Sequence, residues 1–143
     1  MFPTKSCPVV TRSASGVLEV LVFRHPLAGV QLVKGSIEKN ETPRAAALRE
    51  LWEEAGIADA RILRELGVWD TGFEGQVWAL FLVAPNQALR TQWTHCTSDD
   101  GGQEFSFFWH DLASPPPNDC HPLFANAMAK ISEALAVDRR TVA

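Results

Sequence analysis

Apolar and polar positions along the chain change period several times, and each change marks an element. Val9 to Thr11 and Val17 to Phe23 are rich in β-branched and apolar residues. They flank the turn formers Ser13, Ala14, Ser15 and Gly16, which predicts a hairpin. A short strand is expected at Val30 to Val33. From Glu41 the pattern turns helical: Thr42 suits the cap, Pro43 the first helical position, an alanine-rich stretch follows, and Gly56 suits the stop. Arg61 to Trp69 and Gly75 to Val83 read as two further strands with a turn at Asp70 to Gly72. Asn86 to Gln103 is a looser polar stretch, Glu104 to Trp109 a late strand, and Ser114 to Asn118, with its three prolines, a loop. His121 to Val137 shows helical spacing through Leu123, Met128, Ile131 and Leu135.

Strands on both sides of a central helix, with a second helix at the end, predict an α/β fold in which a mixed sheet packs between helical layers. The sequence shows no internal repeat and no linker, so residues 1–143 are expected to form one domain. Cys7, Cys96 and Cys120 are odd in number and lack C-x-x-C spacing, which suggests reduced thiols in a cytoplasm rather than disulfides. The opening MFPTKSCPVVTRS has no apolar run fit for a signal peptide. No later segment approaches the roughly 20 apolar residues of a membrane span, so no membrane partner is expected. A net charge of -4 argues against a surface built on nucleic-acid phosphates, although it leaves room for a local basic pocket.

Glu50, Glu53 and Glu54 stand at i, i+3 and i+4 of the central helix, side by side on its surface. Helical spacing places Leu48, Leu51, Trp52 and Ala55 on one face and the three acids on nearly the opposite one, so that the helix is expected to be buried and still present acids. Like charges four apart disfavour a helix by a few tenths of a kcal/mol per pair, and Arg49 offsets part of that. By itself an E-x-x-E-E cluster describes an ordinary solvated acidic face.

The wider frame changes that reading. Gly35 to Ile57 contains a glycine, five residues, Glu41, seven residues, Arg49-Glu50, an aliphatic residue, one residue, Glu53-Glu54, one residue, Gly56 and an aliphatic residue. The stretch resembles the Nudix box at every defined position, a match expected by chance well below about once in a million such chains. The resemblance implies an α/β/α sandwich and hydrolysis of a phosphate anhydride by water with a divalent metal. By the same resemblance Glu53 and Glu54 are metal ligands, Glu50 is a ligand or the base, and the Gly35 carbonyl faces the metal. A later acid supplies the base or a further ligand in some members; Glu104 is the first candidate, with Asp99 and Asp100 as rivals. Glu41 suits the junction into the helix, near its positive end. The forked donors of Arg49 suit it to orient a carboxylate such as Glu41 or Glu53. Oxygen-only ligands completed by water favour Mg²⁺ or Mn²⁺ over Zn²⁺.

Lys34, just before the box glycine, and Arg24, at a strand end, are candidates to bind substrate phosphate. The Lys-Gly entry to the box resembles the form seen in dinucleoside polyphosphate hydrolases, although Val33 stands where a proline is usual. A dinucleoside polyphosphate is therefore the first expected substrate, within the class of nucleoside diphosphates linked to another group. Nucleoside triphosphates and nucleotide sugars compete with it, as does a nucleotide-binding module that does not cut. Trp69, Phe73, Trp78 and Trp93 either stack on a base or fill the core, with Trp78 expected in the core. The four histidines show no pair at metal-ligand spacing and are assigned no role. His95 and Cys96, as strand neighbours, point to opposite faces and form no nucleophilic pair. The partner is thus a small-molecule nucleotide, and a homodimer is among the states that the sequence admits.

Overall fold

A computed structural model of the chain describes residues 1–98 and 102–142. In chain order the elements are β1 (Lys5–Val9), β2 (Thr11–Ala14), β3 (Val17–His25), β4 (Gly29–Gln31), β5 (Gly35–Ser36), α1 (Pro43–Ala55), β6 (Ala60–Asp70), β7 (Val77–Pro85), β8 (Trp93–Cys96), β9 (Glu104–Asp111) and α2 (Pro122–Val142). One sheet is mixed and ordered β5-β1-β7-β6, with β1 parallel to β7. The other is antiparallel and ordered β2-β3-β9-β8, with β4 also paired to β3.

Strand alternation sorts the apolar side chains into two cores, because successive residues face opposite sides of a sheet. Val20 and Val22 of β3 and Trp78 and Leu80 of β7 pack with Leu123, Ala127, Met128 and Ile131 of α2. Their neighbours Leu21 and Phe23, and Ala79, Phe81 and Val83, pack with Ala47, Leu51 and Ala55 of α1. The helices therefore cover opposite faces, and the architecture is an α/β/α sandwich whose middle layer is two sheets rather than one. No helix among the described residues is long and apolar enough to cross a membrane.

Several expectations need correction. The first hairpin turns on Ser15 and Gly16 alone, both at positive φ (51° and 79°), while Ser13 and Ala14 belong to β2. Two positive-φ residues make the tight turn whose twist matches the flanking strands. β1 was not expected at all. It lies inside the mixed sheet, buried from Ser6 to Val9, and so carries no polar alternation to reveal it. Pro8 is tolerated because β5 pairs only with Lys5 and Ser6, leaving Pro8 a strand neighbour on the β7 side alone. The polar stretch from Asn86 contains β8, short and half-exposed, held by antiparallel pairing to β9.

The α1 boundaries follow the sequence. The Thr42 hydroxyl accepts from the Ala45 amide, Pro43 opens the helix, and Gly56 closes it in the left-handed region at φ 76°. Its orientation does not. The buried residues are Ala46, Ala47, Glu50, Leu51 and Ala55, whereas Trp52 is 57% exposed. The inward face is rotated toward the acids, because small alanines and the Glu50 side chain let the helix sit close to the backbone at Gly35.

Candidate active site

Gly35 and Ser36 form the short strand β5, and Ser6 of β1 registers opposite Gly35. This places the box glycine beside α1. A Cβ on Gly35 would overlap the carboxylate of Glu50, so the glycine leaves the space in which that carboxylate sits, a matter of close approach and not of its φ. Glu50 is 8% exposed, which is unusual for a carboxylate unless it is paired. Its Oε1 accepts from Arg49 Nη1 at 2.7 Å.

Arg49 gathers the cluster. Its Nε and Nη2 bind the two oxygens of Glu41 at 2.7 and 2.9 Å, Nη1 also donates to Glu53 Oε2 at 3.1 Å, and Nη2 donates to the Ser36 carbonyl at 2.9 Å. One guanidinium thus ties the loop after β5, the entry to α1 and two acids of the helix, a use for which its rigid fork is suited. The paired hydrogen bonds from Arg49 hold the Glu41 carboxyl at a pKa of about 2, well below its ordinary 4.5. The same contacts raise the pKa of Arg49 above its usual value. Glu54 Oε1 accepts from the backbone amide of Lys34 at 3.1 Å, so it too faces the strand end.

Lys34 lies beside Glu54, Glu50 and Cys7, and burial lowers its amine pKa. Lys5 adds to that effect, and Glu54, Cys7 and Glu50 oppose it. Burial pushes the Cys7 thiol up to about 12, opposed by Lys34. Lys5 and Cys7 were not legible as neighbours of the site, since the strand that carries them was not.

Other sequence candidates are not brought to this cluster. Arg24 binds Asp119 through Nε at 2.7 Å and Nη2 at 3.3 Å and lies 5.1 Å over the Phe108 ring. Those contacts place it on the sheet side where Phe108 and α2 pack, with its pKa raised chiefly by the Asp119 hydrogen bond. Glu104 is exposed at the start of β9, and alternation turns it to the opposite side from Phe105 and Phe107, which pack with α1. Its carboxylate lies 3.9 Å from the Cys96 thiol. Asp99 and Asp100 fall outside the described residues. Trp78 is fully buried, with Trp69 edge-on to it at 5.4 Å, Phe73 against His121 and Trp93 stacked on Phe107 at 5.0 Å. Trp78 thus fills the core, as expected.

His95, to which no role was assigned, reaches the acidic helix. Its Nε2 lies 3.0 Å from the Glu53 carbonyl, while Cys96 next to it pairs with Glu104 on the other side of the strand. No spacing in the sequence signals this contact, because it depends on β8 being a strand.

Among the described residues no three His, Cys, Asp or Glu side chains already converge on one point. Glu50, Glu53 and Glu54 still supply oxygen donors alone, on one helix, with Glu50 against Gly35 and Glu54 on the Lys34 amide. That donor set fits a hard divalent cation, which keeps several waters and needs few protein ligands.

A model of the NUDIX domain matches residues 4–132. The chain belongs to the Nudix family. Members of this family generally use divalent metals. Among curated relatives, an RNA pyrophosphohydrolase of Roseobacter denitrificans is 49% identical over 45 residues, which are 30% of this Nudix chain and 28% of the relative. The match thus covers less than a third of that protein's length. Among solved structures, a Caenorhabditis elegans Ap4A hydrolase superposes with a TM-score of 0.62 at 19% identity, covering 94% of this chain and 99% of the other. An ADP-ribose pyrophosphatase from Streptococcus suis superposes with a TM-score of 0.68 at 15% identity, covering 96% and 93%. Both share the Nudix fold with this chain.

Proposed function

We propose that this chain, acting as one domain, hydrolyses a phosphate anhydride in a nucleoside diphosphate linked to another group. The observation that carries the reading is the complete box folded as a unit, with Glu50 packed against Gly35, Glu50 and Glu53 bound by Arg49, and Glu54 bound by the Lys34 amide. Glu53 and Glu54 hold Mg²⁺ or Mn²⁺, and Glu50 serves as a further ligand or takes the proton from the attacking water. When bound, such a cation neutralises charge on the diphosphate and acidifies the water that attacks phosphorus. Arg49 orients the Glu50 and Glu53 carboxylates, and Glu41 anchors Arg49. Lys34, beside Glu54, binds a phosphate oxygen.

The first substrate expected is a dinucleoside polyphosphate, from the Lys34-Gly35 entry to the box. The structural likeness to an Ap4A hydrolase accords with that choice. The local identity to a protein named RNA pyrophosphohydrolase adds an RNA pyrophosphate to the substrates to be tested. Arg24, bound to Asp119, and Glu104 lie on the sheet side turned from α1, and the reading gives them no contact with the reacting phosphates. The three free cysteines accord with a cytoplasmic location.

The test is product release across dinucleoside polyphosphates, nucleoside triphosphates, nucleotide sugars and 5′-triphosphate RNA, with and without Mg²⁺ or Mn²⁺. Wild type is run beside Glu54→Gln. Metal-dependent cleavage of one class that the variant loses supports the reading and names the substrate. Cleavage retained in Glu54→Gln, or no metal dependence, overturns it.

A further inference from the structure

A helix leaves its last four carbonyls without intrahelical partners, and in α1 these belong to Trp52, Glu53, Glu54 and Ala55. Two of the acids thus sit on the turn that frays most readily, and repulsion between Glu50 and Glu54 adds to the tendency. Among the described residues, three contacts meet the carbonyls of that turn. The Gly56 amide donates to the Trp52 carbonyl at 2.9 Å. The other two come from β8: His95 Nε2 meets the Glu53 carbonyl at 3.0 Å, and Trp93 Nε1 donates to the Ala55 carbonyl at 3.1 Å.

The fit is mutual. A Cβ on Gly56 would stand 2.9 Å from His95 Nδ1, so the glycine that ends the helix also leaves room for the imidazole. Trp93 is stacked on Phe107 with an interplanar angle of 8°, and β8 is registered against β9 from Trp93 to Cys96. The clamp is therefore anchored to the antiparallel sheet, whereas Lys34, whose amide binds Glu54, lies just before β5 of the mixed sheet.

We propose that His95, supported by Trp93, is a positioning residue for Glu53 and Glu54: by holding the last carbonyls of α1 it keeps the turn that carries the two carboxylates in place, from which they reach a divalent cation. His95 touches the backbone of the helix and not the reacting atoms. The proposal rests on the reading of Glu53 and Glu54 as metal ligands.

The test measures Mn²⁺ binding to the full chain by the loss of free Mn²⁺ signal in electron paramagnetic resonance, together with the melting temperature. The proteins are wild type, Glu54→Gln, His95→Ala, His95→Gln and Ile131→Val. Gln places an amide donor near the position of Nε2, so it restores the contact that Ala removes. Ile131→Val lowers stability from the far core and leaves α1 alone. The expected result is Mn²⁺ binding weakened about tenfold in His95→Ala, the size typical for loss of a partner behind a metal ligand. His95→Gln is expected within about twofold of wild type, and Ile131→Val binds Mn²⁺ as wild type does despite a lower melting temperature. Wild-type affinity in His95→Ala, or equal weakening in Ile131→Val, overturns the positioning role. Absence of Mn²⁺ binding in wild type, or unchanged binding in Glu54→Gln, overturns the metal-ligand reading instead, so the two failures are distinct.

Discussion

A methyl group at Gly35 would fall on the Glu50 carboxylate, so Gly35→Ala is expected to displace Glu50 or the β5 backbone. Turnover should fall by roughly 100-fold, the upper range for disturbing a metal ligand's support, and a melting curve that stays cooperative shows the loss to be local. Glu53→Gln and Glu54→Gln remove a charge but keep an acceptor for Arg49 or the Lys34 amide. Each is expected to melt near wild type and to lose more activity than the roughly 10–100-fold typical of an outer partner. Arg49→Ala strips the counter-ion from Glu41, Glu50 and Glu53 at once. Its activity loss should fall within that 10–100-fold range, below the loss in a Glu53→Gln Glu54→Gln double variant, and full activity would remove the role assigned to Arg49.

At the scale of one element, α1 shows which parts of a helix a sequence reveals. Thr42, Pro43 and Gly56 mark its ends because capping is local chemistry, and the structure places the ends there. Thr42→Ala should cost about 1 kcal/mol in urea unfolding. Gly56→Ala should cost about 1–3 kcal/mol, since it meets both a left-handed backbone and the His95 ring. The entry to the helix also carries a pH dependence. Glu41 is held at about 2 in the fold against an ordinary 4.5, so its contribution to stability is complete above about pH 4.5 and is lost as pH falls toward 2. Urea unfolding from pH 6 to 2 should therefore show a decline below about pH 4.5 that Glu41→Gln flattens.

For the whole molecule, the two cores make different predictions for cavities of similar size. Leu51→Ala opens the core beneath α1, and Ile131→Ala the core beneath α2. Both are expected to cost about 2–5 kcal/mol. At a temperature well below either midpoint, Ile131→Ala should keep its kcat and metal affinity, whereas Leu51→Ala should lose both, because the acids ride on the helix that settles into the cavity. Equal kinetics in the two variants would show that the position of α1 is not set by its core.

The sequence by itself determined the family, both ends of α1 and the acids on it, because capping and the box spacing are short-range and read within a few residues. The partners of Arg49 were half legible: Glu53 and Glu41 lie within one helix and its entry, while the Ser36 carbonyl comes from a strand end. Only the tertiary structure decided which way α1 faces, burying Glu50 and exposing Trp52, since that depends on how closely alanines and Gly35 let backbones approach. It also decided that β1 runs inside the mixed sheet and that β8 brings Trp93 and His95 to the end of α1. Those two side chains lie 38 and 42 positions from the carbonyls they meet, and a contact across such a separation leaves no periodic mark in a short polar segment.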